Sequence, residues 1–208
     1  MKRQRYLLIA LGVALTVMTA WGVKNAQAIL QPIPAPPLKP FSDNRDWMLI
    51  EDIIYQVGNS SIEIIVPKGF VTDFASIPQA LWSFGLSPNG LYSKAAIIHD
   101  YLYWTQLCTR LQADNILMIA MKESQVPADR RDLIYAGVRG GGSAAWKDNA
   151  AQRANGFPKV ISVADMNFGP LVLWKDYQQT LRAQGVKDPV PRSATYCSVG
   201  NSTDVPQH

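Results

Sequence analysis

The stretch Ala95-Ala96-Ile97-Ile98-His99-Asp100-Tyr101-Leu102-Tyr103-Trp104 constrains this chain more than any other. At helical spacing it is apolar almost all the way round, so it must be covered by other elements on nearly every side. A His-Asp pair in the middle of such a helix is costly to bury unless both groups find partners. Tyr103 lies one turn after His99 and shares its face.

The next helical pattern supplies a partner. Thr109 and Gln112 make a capping box for a helix of about 14 residues. In it Asp114 falls within about 60° of Leu111, Leu117, Met118 and Met121, so this aspartate is expected to be buried. A short connection makes the two helices antiparallel neighbours, and His99 or Tyr103 is the natural partner for Asp114. Asp73 and Ser76, in Thr72-Asp73-Phe74-Ala75-Ser76-Ile77-Pro78, are placed to close the constellation from a loop. Such a group is either a site or a buried polar network that fixes helix register.

The remaining elements follow from period and punctuation. Residues 47–57 and 61–66 read as strands around a Gly58-Asn59 turn, and residues 70–73 as a third after Pro67-Lys68-Gly69. These predict an antiparallel β-meander. Ser76 and Pro78 suit the start of a short turn, and Ser93 can cap a helix running to about Gln106. A third helix opens at Pro127 and is expected to stop at Gly140-Gly141-Gly142, a run read as a helix stop in preference to an anion-binding nest. A fourth runs from about Pro170 to Ala183. Strands first and about four helices later give an α+β fold.

Both ends differ from the body. Lys2, Arg3 and Arg5 precede an uncharged stretch from Tyr6 to Val23, and Ala26-Gln27-Ala28 fits a signal-peptidase site. Residues 1–28 are therefore read as a signal peptide, cleaved after Ala28, with an uncleaved membrane anchor over residues 6–23 as the alternative. Residues 29–42 form a proline-rich linker, 43–184 a single globular domain, and 185–208 a polar tail. Export to the periplasm or beyond makes a Cys108–Cys197 disulfide the preferred state of the two cysteines over a pair of buried thiols.

Charge and histidine count exclude several function classes. Of the 20 basic residues, Lys2, Arg3, Arg5 and Lys24 lie in the leader, leaving 16 against 16 acidic residues. No basic stripe remains for nucleic acid. Of the 2 histidines, His208 ends the polar tail, so His99 is the one imidazole of the body and a multi-histidine zinc site is ruled out unless the tail folds back. The P-loop, G-x-G-x-x-G, G-x-S-x-G and H-E-x-x-H patterns are absent.

Two resemblances bear on function. Asp73-Phe74-Ala75-Ser76-Ile77-Pro78, then Ala95 to Tyr103, then Ala113-Asp114 resemble a phage- and prophage-associated bacterial domain of unknown function over roughly residues 45–146. His99-Asp100-x-x-Tyr103 is similar to the His-Asp helix of secreted phospholipases A2. That resemblance implies His99 as the base activating water, Asp114 orienting it, Tyr103 supporting Asp114, and Asp100 as a calcium ligand. Where that family has flanking cysteines this chain has Ile98 and Leu102, and without a glycine-rich calcium loop Asp73 through Ser76 would supply the other oxygens. The expectation is an exported hydrolase acting on a lipid or other cell-envelope substrate, with the calcium assistance that the resemblance implies. A cell-wall peptide or amide hydrolase and a non-catalytic prophage-derived binding module are the alternatives.

Overall fold

The computed structural model describes residues 36–74, 91–191 and 194–207. The leader, the first half of the proline-rich stretch, the Ser76-Pro78 turn and His208 lie outside the described residues.

Among the described residues five short strands precede the helices: β1 Leu38–Pro40, β2 Trp47–Leu49, β3 Ile53–Gln56, β4 Glu63–Val66 and β5 Val71–Thr72. Ile53, Tyr55, Ile64 and Val66 alternate inward, while Ile54, Gln56 and Glu63 do not, so one face of the β3–β4 hairpin is buried. In place of a meander, the chain makes one long hairpin interrupted in the middle. Trp47 pairs with Thr72 and Ile53 with Val66, which is a single continuous antiparallel register. It opens where residues 50–52 face 67–69. Pro67 has no N–H to give the ladder, and Gly69 sits at φ +84, where a side chain is strained. The Lys68 N–H goes to Asp52 Oδ1 instead, at 2.7 Å. The result is a three-stranded sheet in the order β1-β2-β5 beside the two-stranded β3–β4 sheet.

β1 lies inside the stretch read as a linker. Leu38, Lys39 and Pro40 pair with Leu49, Met48 and Trp47. Proline is tolerated there because β1 is an edge strand.

Four α-helices follow among the described residues: α1 Ser93–Thr105, α2 Arg110–Glu123, α3 Ala128–Ala154 and α4 Trp174–Ala183. The α+β fold of small antiparallel sheets followed by helices is as the pattern predicts. α1 is buried at 12 of its positions, Ala95 to Thr105 among them. It starts at Ser93 with Tyr92 in the cap position, so Ser93 is the first helical residue and not its cap. The Thr109–Gln112 capping box forms as expected. Leu111 departs from its predicted stripe and is half exposed. α4 begins four residues later than expected, with the Trp174 N–H on Asp43 Oδ2.

The largest correction is α3. It does not stop at Gly140-Gly141-Gly142 but runs through all three to Ala154. Gly142 packs against Tyr103, and a Cβ there would collide with the Tyr103 hydroxyl. Glycine thus lets α3 close on α1 at the point where the sequence suggests a break.

The polar tail is also part of the packing. Residues Ala194–Asn201 form a 3-10 helix against α2, with Tyr196 buried. Asn115 Nδ2 donates to Gly200 O at 2.8 Å, and Lys122 Nζ to Thr203 O at 2.6 Å. The Cys108 and Cys197 sulfurs lie at disulfide distance, which ties this tail to the α1–α2 connection.

Two hydrophobic clusters flank the three-stranded sheet. The larger holds Leu49, Ile64 and Phe70 with α1, α2 and the first half of α3. The smaller holds Met48, Val71, Phe41, Phe168, Trp174 and Leu181. α1 is therefore enclosed, and its polar residues must be satisfied from within.

Candidate functional site

α1 and α2 bring His99, Tyr103 and Asp114 together. Asp114 is fully buried, and His99 is 1% exposed. His99 Nε2 is 2.9 Å from Asp114 Oδ1, and the Tyr103 hydroxyl donates to the same oxygen at 2.6 Å. Asp114 Oδ2 accepts from Arg110 at 3.2 Å and from Arg139 at 2.6 Å. One buried carboxylate thus serves four donors on three helices.

Burial alone would oppose ionisation of Asp114. The bonds from His99, Tyr103 and Arg139 outweigh it and hold its carboxyl below the usual carboxylate range. An ionised carboxylate can only accept, so His99 Nε2 must carry its hydrogen. In the neutral ring the lone pair then sits on Nδ1. Burial, followed by the bond to Asp114, pushes the Tyr103 phenol well above its ordinary value, so it stays a donor. The Tyr103 and His99 rings are 4.1 Å apart, and Trp146 packs edge-on to Tyr103. These contacts fix both side chains.

His99, Asp100 and Tyr103 form part of the wall of a cleft of about 780 Å³, and Asp73 and Asp46 line it from the strand side. Gly137, Gly141 and Gly142 of α3 present backbone to the same space. Asp114 does not line the cleft; it stands behind His99. The imidazole therefore borders the cleft while being almost wholly covered by its neighbours.

The two residues expected to bind calcium are placed as follows. Thr72 Oγ1 donates to Asp100 Oδ2 at 2.5 Å, and Arg45 Nη2 is 3.4 Å from Asp73 Oδ2. Among the described residues no group of three or more His, Cys, Asp or Glu is set to hold a metal ion. Calcium takes six to eight oxygens, and Asp73 with Asp100 does not by itself make such a site. Ser76, the supporting residue, lies outside the described residues.

Three groups escape the sequence reading. Arg110 is four residues before Asp114 on α2, a spacing that does signal an ion pair. Arg139 reaches Asp114 because α3 continues past it, which the expected helix stop conceals. Asp46 has no local signal: burial first, then the charges of Asp73 and Asp43, raise its carboxyl to about 7. It lines the cleft opposite α1.

Comparison with known proteins gives similarity without an activity. Over 129 residues, 59% of this chain, it is 32% identical to a protein of Sinorhizobium fredii (strain NBRC 101917 / NGR234) whose name is "Uncharacterized protein y4jT". The chain spans 38% of the length of that relative. No solved structure matches. Residues 47–138, which contain Asp73, His99, Asp100, Tyr103, Arg110 and Asp114, match the model of a family described as a protein of unknown function (DUF1353).

Proposed function

We propose that the protein is an exported hydrolase in which His99 is the general base, with a lipid or other cell-envelope ester as substrate. The observation that carries this reading is the orientation of one imidazole. Asp114 accepts from its Nε2 and sets the plane of the ring, and the residue is part of the wall of a cleft. In this reading water attacks the ester carbonyl carbon while giving a proton to His99 Nδ1. The tetrahedral intermediate then expels the alcohol, which takes that proton. Asp114 and Tyr103 are positioning residues, because they act through the imidazole. Calcium, if held by Asp100, Asp73 and further oxygen ligands, would polarise the ester carbonyl, as the phospholipase resemblance implies.

A second reading is a non-catalytic, prophage-derived binding module. It is favoured by Arg110 and Arg139, which already compensate the Asp114 charge and leave His99 as one of four donors to a structural knot. The test is turnover of phospholipid vesicles, a simple carboxylic ester and peptidoglycan by wild type and His99→Gln. Loss of ester turnover in a His99→Gln protein that still unfolds cooperatively, with no more than the loss of one hydrogen bond in stability, supports the hydrolase. Peptidoglycan turnover alone moves the reaction to peptide or amide bonds, and no turnover of any substrate supports the binding module. Export is tested by recovering the chain from a Gram-negative host: a periplasmic protein beginning at Ile29 fits the leader, and an intact Met1 in the membrane fraction fits the anchor.

A further inference from the structure

A second cavity, of about 710 Å³, shares Phe157 with the cleft and lies between the C-terminal ends of α1, α3 and α4 and the segment 185–191. Its apolar lining includes Tyr101, Trp104, Leu107, Phe157, Val160 and Val186. That is the size and lining of an ordinary small-ligand pocket. Its charged groups are Arg153, Arg182, Lys187 and Asp188, three cations to one carboxylate.

The fixed geometry of those charges suggests what they recognise. Asp188 is committed to the wall: it accepts from the Trp104 indole and from the Lys159 and Val160 N–H groups. Arg153 Nη1 donates to the Trp104 and Thr105 carbonyls, both at 2.6 Å, which anchors the guanidinium at the end of α1. Its other N–H groups are not used by those bonds. The Arg182 guanidinium lies 4.3 Å from the centre of the Phe157 ring, a cation–π contact at the exposed rim. An apolar floor with the anchored Arg153 and the rim Arg182 at its side complements an apolar chain ending in an anion.

We propose that this cavity binds a single-chain carboxylate amphiphile, a free fatty acid, with its chain against Trp104, Phe157 and Val186 and its head on Arg153 and Arg182. The assignment stands whether or not His99 is catalytic.

The experiment is calorimetric titration of the full chain with dodecanoate and with dodecyltrimethylammonium, both below micelle formation. One dodecanoate should bind per chain, saturably and at least about tenfold more tightly than the cation. Arg182→Glu/Lys187→Glu, a reversal of two exposed charges, should weaken dodecanoate about tenfold or more with the melting curve unchanged. Leu107→Glu, a separate change at a half-exposed lining position, should weaken it as well. His99→Gln should bind as wild type does. Absence of saturable binding, equal binding of the two amphiphiles, or indifference to both acidic variants overturns the proposal. So does loss of binding in folded His99→Gln, which would put the ligand in the cleft instead.

Discussion

The sharpest test of how His99 is used compares His99→Gln with Asp114→Asn. Asp114 has four donors, at 2.9, 2.6, 3.2 and 2.6 Å. His99→Gln removes one of them and leaves the other three, and glutamine can replace part of the bond. The expected cost is about 1–1.5 kcal/mol, the ordinary net value of one hydrogen bond. Asp114→Asn does more damage. It removes the charge that both guanidinium groups face and puts an amide donor among donors. Breaking a buried pair costs about 3–5 kcal/mol, but the Arg110 and Arg139 side chains are 24% and 33% exposed and can rehydrate. About 3 kcal/mol is therefore expected.

Urea unfolding at neutral pH measures both. With a slope of about 1–3 kcal/mol per molar for a small protein, a difference of about 1.5 kcal/mol separates the two midpoints by about 0.5–1.5 M. The difference depends on pH in a definite sense. Asp114 is held below its ordinary value of 3.8, so its contribution is complete above that value and is lost as pH falls through the folded-state value. The Asp114→Asn deficit should therefore shrink at strongly acid pH. If His99→Gln costs as much as Asp114→Asn at neutral pH, the imidazole is a structural member of the knot, and the reasoning that separates it from the carboxylate is wrong.

Asp46→Asn should gain stability relative to wild type between pH 5 and pH 8, measured by melting temperature. The raised Asp46 carboxyl contributes most below 3.8 and loses that contribution as pH rises through about 7, so a pH-independent difference would refute the assignment. Replacing Cys108 and Cys197 together by Ser should cost about 2–4 kcal/mol, given their sequence separation of 89; labelling of either thiol without reductant would contradict the bridge. A calcium-dependent rise in wild-type melting that chelator reverses and Asp100→Asn removes is expected if calcium assists the reaction, and melting indifferent to both additions would refute that assistance. Gly140→Ala should stabilise by about 0.5–1 kcal/mol and Gly142→Ala should destabilise, compared by urea midpoints; the opposite order would refute the Gly142–Tyr103 contact.

What the sequence discloses here is mostly what repeats at a fixed period or sits at a fixed offset. The enclosure of α1, the capping box at Thr109, and the burial of Asp114 opposite His99 and Tyr103 are all legible in that way. Interactions set by tertiary placement are not. Nothing local to Leu38–Pro40 says that a proline-rich stretch will pair with β2, because an edge position forgives a missing N–H. Asp46 looks like any loop aspartate until Asp43 and Asp73 surround it. The break at residues 50–52 depends on Pro67 and Gly69, more than a dozen residues away, so residues 47–57 read as one strand when they are two.

The glycine run of α3 joins these two cases. Each glycine in a helix interior costs about 1 kcal/mol against alanine, and the natural reading of three in succession is a stop. The helix continues because packing outweighs propensity: Gly142 admits the Tyr103 hydroxyl that Asp114 requires, and continuation keeps Arg139 in the helix on the second oxygen of Asp114. Gly140 and Gly141 have no such excuse among the described residues, since a Cβ on either would meet nothing within 4 Å. Gly141, however, lines the cleft beside His99, where a side chain would take up room. A cost in helix stability without a packing return, at the wall that faces the imidazole, is what a binding cleft would impose and a closed structural knot would not. Of the three, Gly141 supports the proposed site on grounds independent of the histidine, Gly142 serves the Asp114 knot, and nothing in the structure explains Gly140.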